Sequence, residues 1–297
     1  MSAHLHFIGM GKMGLPMATH LQAAGHRVTV SDTDPARLAL AAAQGLSVVP
    51  DVPLAISQAS FVFSSLPHDD ALLAVAAQVA QHAKPGTVYV DTSTVSMQAS
   101  AQAAQTLDAA GVAYLRTTVS GNNKMAEAAQ LTVMASGPRA RYEAVQPLLT
   151  ALGPNQFYLG EGEQARLMKL VVNLMIAQTS AMLSEALTLG RKGGLDWQDM
   201  WQVLCASAVA SPIVKAKSAQ LSQRDFTPTF TVAQMIKDLG LILDAAAQHQ
   251  VPLAQTALTH QLMHAALAQG DGADDYAAII KAVERSAGLP DQLPSSK

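Results

Sequence analysis

The stretch His4-Leu5-His6-Phe7-Ile8-Gly9-Met10-Gly11-Lys12-Met13-Gly14 decides the fold. A short apolar run ends in three glycines spaced G-x-G-x-x-G, and a helical pattern follows from Lys12 to Ala24. The spacing alone is weak, but a preceding strand and a following helix supply the context in which it has a mechanism. Gly9 permits a tight turn, Gly11 lets backbone approach a pyrophosphate, and Gly14 lets helix and strand pack closely. A helix N-terminus then presents its N–H groups to phosphate. Lys12 and Met13 fall inside this turn and are candidate cofactor contacts with the glycines. The implied unit is a Rossmann-type parallel sheet that binds a dinucleotide.

Working outward, Arg27 to Ser31 reads as the second strand and ends at Asp32. A carboxylate there accepts hydrogen bonds from ribose hydroxyls and repels a 2′-phosphate, so NAD is favoured over NADP. Asp32-Thr33-Asp34-Pro35 is also turn-like, and Arg37 keeps NADP as the other candidate. Strands at Phe61 to Ser64, Thr87 to Asp91, Val112 to Leu115, Leu131 to Ala135 and Gln156 to Leu159 follow, with helices at Pro35 to Gln44, Asp69 to His82 and Ser96 to Ala109. Alternation of this kind implies βαβ units and a mostly parallel sheet.

After Gly160 the pattern changes. Gln164 to Lys192 is one long helical signal, apolar nearly all round, which predicts a buried helix. Helices are expected at Asp196 to Ala206, Val232 to Gln248, Leu253 to Ala268 and Ala273 to Arg285. The expected organisation is an α/β domain over 1–163 and an all-α domain over 164–297, joined by the long helix and closed by a loose Pro- and Ser-rich tail.

Composition narrows the function. With 49% hydrophobic and 14% charged residues, the chain can bury a core and is not of disordered type. A net charge of -3 and the lack of a basic run argue against nucleic acid. One cysteine, Cys205, excludes a disulfide framework and a Cys-rich metal site, and the nine histidines show no ligand spacing, so no metal is expected. Lys169, Asn173, Gln178 and Glu185 interrupt the longest apolar stretch, which argues against a membrane span. The expected setting is cytoplasmic.

The N-terminal segment resembles the β-hydroxyacid dehydrogenases, the family of 3-hydroxyisobutyrate dehydrogenase, tartronate semialdehyde reductase and relatives of 6-phosphogluconate dehydrogenase. Further segments match in order: Ser65-Leu66-Pro67, Asp91-Thr92-Ser93-Thr94, Val119-Ser120-Gly121, Gly160 through Lys169 to Asn173, and Phe230 through Lys237-Asp238-Leu239. The resemblance implies that Leu66, Pro67, Thr94 and Lys237 line the cofactor, that Ser120, Gly121 and Asn122 hold a substrate carboxylate, and that Lys169 is catalytic with Asn173 beside the substrate. It implies hydride transfer between a small 3-hydroxy acid and its semialdehyde. The chemistry needs a group that takes the hydroxyl proton, and a lysine with a lowered pKa can do so; an apolar setting or a second cation such as Lys237 acts in that direction. Where the family carries an acidic residue, a proline and a final glycine around its Val-Ser-Gly motif, this chain reads Arg116-Thr117-Thr118-Val119-Ser120-Gly121-Asn122. Arg116 has two readings, a partner for an anionic substrate group or a solvated side chain, and the solvated one is favoured. Two alternatives stand beside the dehydrogenase: an imine reductase, against which Lys169 counts, and a catalytically silent dinucleotide-binding protein. The long apolar helix suggests a homodimer or homotetramer.

Overall fold

The computed structural model describes residues 2–293. The tail expected at the C-terminus falls on 294–297, outside the described residues. The chain forms two compact units, Met1–Lys169 and Leu170–Lys297, which divide inside one long helix.

In the first unit, β1 (His4–Ile8), α1 (Gly14–Ala23), β2 (Arg27–Ser31), α2 (Pro35–Ala43), β3 (Ser47–Val48), α3 (Val52–Gln58), β4 (Phe61–Ser64), α4 (Asp69–His82), β5 (Val88–Asp91), α5 (Met97–Ala109) and β6 (Ala113–Ser120) run in order. Then come α6 (Asn123–Glu127), β7 (Thr132–Ser136), α7 (Arg139–Thr150), β8 (Asn155–Tyr158) and the start of α8 (Gln164–Lys192). The eight strands form one sheet in the order β3-β2-β1-β4-β5-β6-β7-β8, parallel except for the β6–β7 pair. Side chains pointing to alternate faces supply two cores. Leu5, Phe7, Val30, Phe63 and Val90 pack with Met17 and Leu21 of α1 and with Val145 of α7. Val62, Tyr89 and Tyr114 pack with Ile56, Leu72 and Leu107 of α3, α4 and α5. Burial on both faces is what near-continuous apolar strands require.

The strand order reverses between β1 and β4, and a crevice opens at such a switch point beyond the carboxyl ends of the strands. Five elements escape the sequence reading. β3 has two residues, too few for a pattern, and α6 has five. Proline opens α10 (Pro212–Leu221), sits at the start of α3, and lies inside α7 as Pro147. Each looks like a break in sequence; in α3 and α10 the proline falls in the first helical turn, where it is tolerated, whereas Pro147 interrupts the interior of α7.

The second unit is helical: the rest of α8, α9 (Trp197–Ala206), α10, α11 (Val232–Gln248), α12 (Ala254–Ala268) and α13 (Ile279–Ser286), with a 3-10 turn at Asp271–Ala273 and a second at Tyr276–Ala278 that occupies the start of the helix expected over Ala273 to Arg285. Helix α8 is long and apolar enough to cross a membrane by length and composition, with a mean hydropathy of 1.4 over its best window. It is not buried all round, as its composition suggested. Met168, Val171, Met175, Met182 and Leu189 are exposed along one side, while Arg166 and Asn173 bond inward to Asp91 and Asp238.

Candidate functional site

Gly9 stands at φ +94, and a Cβ there would lie 2.4 Å from the Ser65 carbonyl oxygen. A Cβ on Gly14 would meet the Gly9 carbonyl oxygen at 1.9 Å. Both positions therefore exclude any side chain. Gly11 differs: a Cβ there would find no atom within 4 Å, so its backbone borders open space. Asp34, Asp51, His68 and Ser96 cap α2 to α5, but Met13 gives α1 no side-chain cap. An open glycine at the start of an uncapped helix fits a pyrophosphate.

Asp32 is drawn into the same turn. Its Oδ2 accepts from the Met10 N–H at 2.5 Å and its Oδ1 from the Asp34 N–H at 2.8 Å. The turn and ribose readings are compatible, because each carboxylate oxygen keeps a further lone pair. A cleft of about 230 Å³ beside Gly11 and Lys12 is lined also by Arg37, Gln44, Asn123 and Glu127.

On the other side of the switch point, the Leu66 N–H donates to Ser93 Oγ at 2.8 Å, and Ser93 Oγ donates to Asp91 Oδ1 at 2.5 Å. The half-exposed turn at Leu66 and Pro67 is thus bonded to the segment that carries Thr94. Asp91 is fully buried, takes a second hydroxyl from Ser64 at 2.5 Å, and is ion-paired with Arg166. Arg166, 1% exposed, spends its other donors on Ser93 O at 2.5 Å, Tyr114 OH at 2.7 Å and Ser100 Oγ at 3.2 Å. Burial presses this guanidinium toward neutrality, but Tyr114 and Asp91 outweigh it and raise its pKa above the ordinary arginine value. Burial likewise pushes the Tyr114 and Tyr89 phenols up, so both stay neutral.

Arg166 belongs to the first turn of α8, which is fastened to the sheet at three more points. Ser136 Oγ donates to Gly162 O at 2.7 Å and accepts from the Ala165 N–H at 3.1 Å. Thr118 Oγ1 donates to Ala165 O at 2.9 Å. Arg116 pairs with Glu163. Arg116 is therefore not the solvated side chain expected from sequence. It is 6% exposed and lies over the Tyr114 ring, 4.5 Å from the centroid. Its partner stands far along the chain, which sequence does not reveal. Lys169 follows one turn after Arg166 and is half-buried.

Ser120 ends β6. Gly121 stands at φ +139, where a Cβ would be 2.7 Å from Leu131 Cδ2. Asn122 Oδ1 accepts from the Met125 N–H at 3.0 Å and so caps α6. Half of the Asn122 amide is committed to local structure, and its Nδ2 is the donor end.

In the second unit Asn173 is buried and its Nδ2 donates to Asp238 Oδ2 at 2.5 Å. Asp238 is 1% exposed, and its Oδ1 lies 3.1 Å from Lys237 Nζ. Lys237 thus has a counter-charge on the adjacent residue, which weakens its expected part as a second cation. Sequence reading passed over Arg166, Glu163 and the serines that join them. A charged residue in an apolar helix start was the available signal for Arg166.

Residues 4–160 match the family described as the NAD binding domain of 6-phosphogluconate dehydrogenase. Residues 163–283 match the one described as NAD-binding of NADP-dependent 3-hydroxyisobutyrate dehydrogenase. The chain belongs to the β-hydroxyacid dehydrogenases. Members similar to it include 2-(hydroxymethyl)glutarate dehydrogenase of Eubacterium barkeri, 34% identical over 97% of both chains. Glyoxylate/succinic semialdehyde reductase 1 of Arabidopsis thaliana is 29% identical over 94% of this chain and 98% of that one. Among solved structures, the 3-hydroxyisobutyrate dehydrogenase of Mycobacterium tuberculosis with L-serine superposes with a TM-score of 0.88 at 27% identity, covering 95% of this chain and 99% of that chain. As a β-hydroxyacid dehydrogenase, this protein is an enzyme that uses a nicotinamide cofactor, NAD or NADP.

Proposed function

We propose that the enzyme interconverts a small 3-hydroxy acid, of the 3-hydroxyisobutyrate kind, and its semialdehyde, with Lys169 as the proton-transfer group. The observation that carries this reading is local to the first unit. The helix start bearing Lys169 is bonded through Arg166 to the two turns, Leu66-Pro67 and Ser93-Thr94, that border the switch-point crevice. The named relatives support the substrate class: 2-(hydroxymethyl)glutarate and 3-hydroxyisobutyrate both carry a hydroxymethyl group next to a carboxylate.

Bound at the Gly9–Gly14 turn, the nicotinamide cofactor supplies the hydride acceptor. In oxidation the neutral Lys169 amine takes the hydroxyl proton, and in reduction its ammonium returns one to the forming alkoxide. Asn173 acts beside it. Asp238 accepts only, so it fixes the Nδ2 end of Asn173 and leaves Oδ1 as an acceptor for an N–H of Lys169 one turn back, which holds the amine lone pair for the substrate hydroxyl. Ser120, Gly121 and the donor end of Asn122 suit the carboxylate. Asp32 favours NAD over NADP, whereas the Gly11 cradle serves the pyrophosphate that both share; Arg37 in the adjoining cleft is the residue that would soften that preference. The exposed apolar row on α8 supports a homodimer or homotetramer, and the single free cysteine fits a reducing cytoplasm.

Initial rates of nicotinamide reduction over a panel of 3-hydroxy acids, each with NAD and NADP, test the reading beside a folded Lys169→Ala control. Turnover with NAD that drops at least ~100-fold in the control is expected. Turnover indifferent to Lys169→Ala would remove the lysine from the chemistry, and preference for NADP would overturn the role of Asp32.

A further inference from the structure

We propose that Arg166 is the positioning residue of this active site: its buried guanidinium sets Lys169 against the nicotinamide-bordering turns. The inference rests on the reading of Lys169 given above. It starts from the geometry of the fork. All three guanidinium nitrogens are used, and they reach acceptors on separate elements: Asp91 at the end of β5, the Ser93 carbonyl just before Thr94, Tyr114 on β6 and Ser100 on α5. Asp91 and Ser93 in turn hold Ser64 at the end of β4 and the Leu66 N–H beyond it. A single side chain thereby joins the two turns beside the crevice to the helix that carries the lysine.

Position on the helix completes the argument. Residues three apart lie on neighbouring points of one helical face. With Arg166 pinned beneath α8, the rotation of the helix about its axis is fixed, and so is the direction in which Lys169 leaves it. The remaining fastenings, Arg116 to Glu163, Ser136 to Gly162 and Ala165, and Thr118 to Ala165, hold the turn to the sheet. None of them bonds to Ser93 or Leu66. The first turn of α8 can therefore stay docked when Arg166 changes, while its registration with the crevice is lost. Lysine keeps the positive charge opposite Asp91 but offers one nitrogen where the fork offers three.

The test is a double-mutant cycle of Arg166→Lys with Lys169→Ala, using the 3-hydroxy acid that the unaltered enzyme turns over. Activity in the Lys169→Ala background is restored in part by added methylamine, an untethered base. Binding of NADH is followed separately by its fluorescence. We expect Arg166→Lys to lower kcat about 10- to 100-fold when Lys169 is present. In the methylamine-rescued background it should lower the rate less than about 2-fold, with the NADH Kd unchanged in both. An equal loss in the two backgrounds would overturn the proposal and make Arg166 a support of the fold or cofactor site alone, and an unchanged kcat would overturn it too. Full activity in Lys169→Ala alone would refute the lysine reading itself, which is a separate outcome. Tyr114→Phe removes one acceptor from the fork and serves if Arg166→Lys does not fold. It should cost about 3-fold in kcat with the same dependence on Lys169.

Discussion

The two ends of α8 each rest on a buried arginine–carboxylate cluster, and the clusters are built in opposite ways. At the start the cation is the centre: Arg166 spreads its N–H groups over four partners and only one of them, Asp91, is charged. At the other end the anion is the centre. Glu284, fully buried, is gripped by Arg191 at 2.8 Å and by both arms of Arg224 at 2.8 Å, and these arginines continue to the carbonyls of Gln292 and Asp291. A central arginine gathers neutral loop groups into a fixed arrangement. A central glutamate draws separate segments together by charge. The first design suits the borders of a crevice; the second closes the C-terminal segment against its bundle.

The strongest way to break this comparison is Glu284→Ala. Two arginines would be left around an empty anion site, at a cost of about 3–5 kcal/mol. Chemical denaturation should show that loss, while kcat at a permissive temperature stays within about twofold. A collapse of kcat in still-folded protein would mean that the far end also sets the site. An acid titration sharpens the comparison by isolating the sheet. Buried His6, bonded to Thr29 and Ser31, is lowered by burial from 6.5 to about 4. The unfolded chain therefore binds the proton more readily, and stability present above pH 6.5 is lost as the pH falls toward 4. The loss is on the order of 3 kcal/mol, and His6→Gln should flatten it in a plot of unfolding free energy against pH.

Glu163→Gln probes the start of α8 away from the crevice turns. It leaves Arg116 buried with a weaker partner and should cost about 1–3 kcal/mol, with a smaller fall in kcat than Arg166→Lys produces. The reverse ranking would shift the positioning role to Arg116 and Glu163. The smallest effect is expected of Thr118→Val, which deletes one hydrogen bond to Ala165 at 2.9 Å. About 1 kcal/mol of stability should go, and steady-state rates should not change measurably.

Much of this molecule is legible in sequence where the signal is local. Gly9, Gly11 and Gly14 announce the turn because each excludes or avoids a Cβ for its own reason, and the apolar runs at β1, β2, β4 and β5 announce a sheet covered on both sides. β6 was read only to Leu115, because Arg116-Thr117-Thr118 looks like a polar loop. It continues to Ser120 with those residues buried, since they meet the start of α8 rather than water. Arg116 was misjudged for the same reason. Burial of a charge is decided by its partner, and Glu163 and Arg116 are neighbours only after folding. Lys169 and Asn173 stand out through the resemblance of their segment to the family motif, whereas Arg166, Ser93 and Asp238 gain meaning from contacts between separate elements.

The exposed row on α8 has a chemical consequence. Met168, Met175 and Met182 recur every seven residues, with Met175 the most open of the three at 64%. An open thioether is converted by peroxide to a polar sulfoxide, and one covered by another chain is shielded. Mass spectrometry after brief peroxide treatment would thus footprint this face directly, and protection of Met175 that is lost on dilution is the result expected of the proposed homo-oligomer.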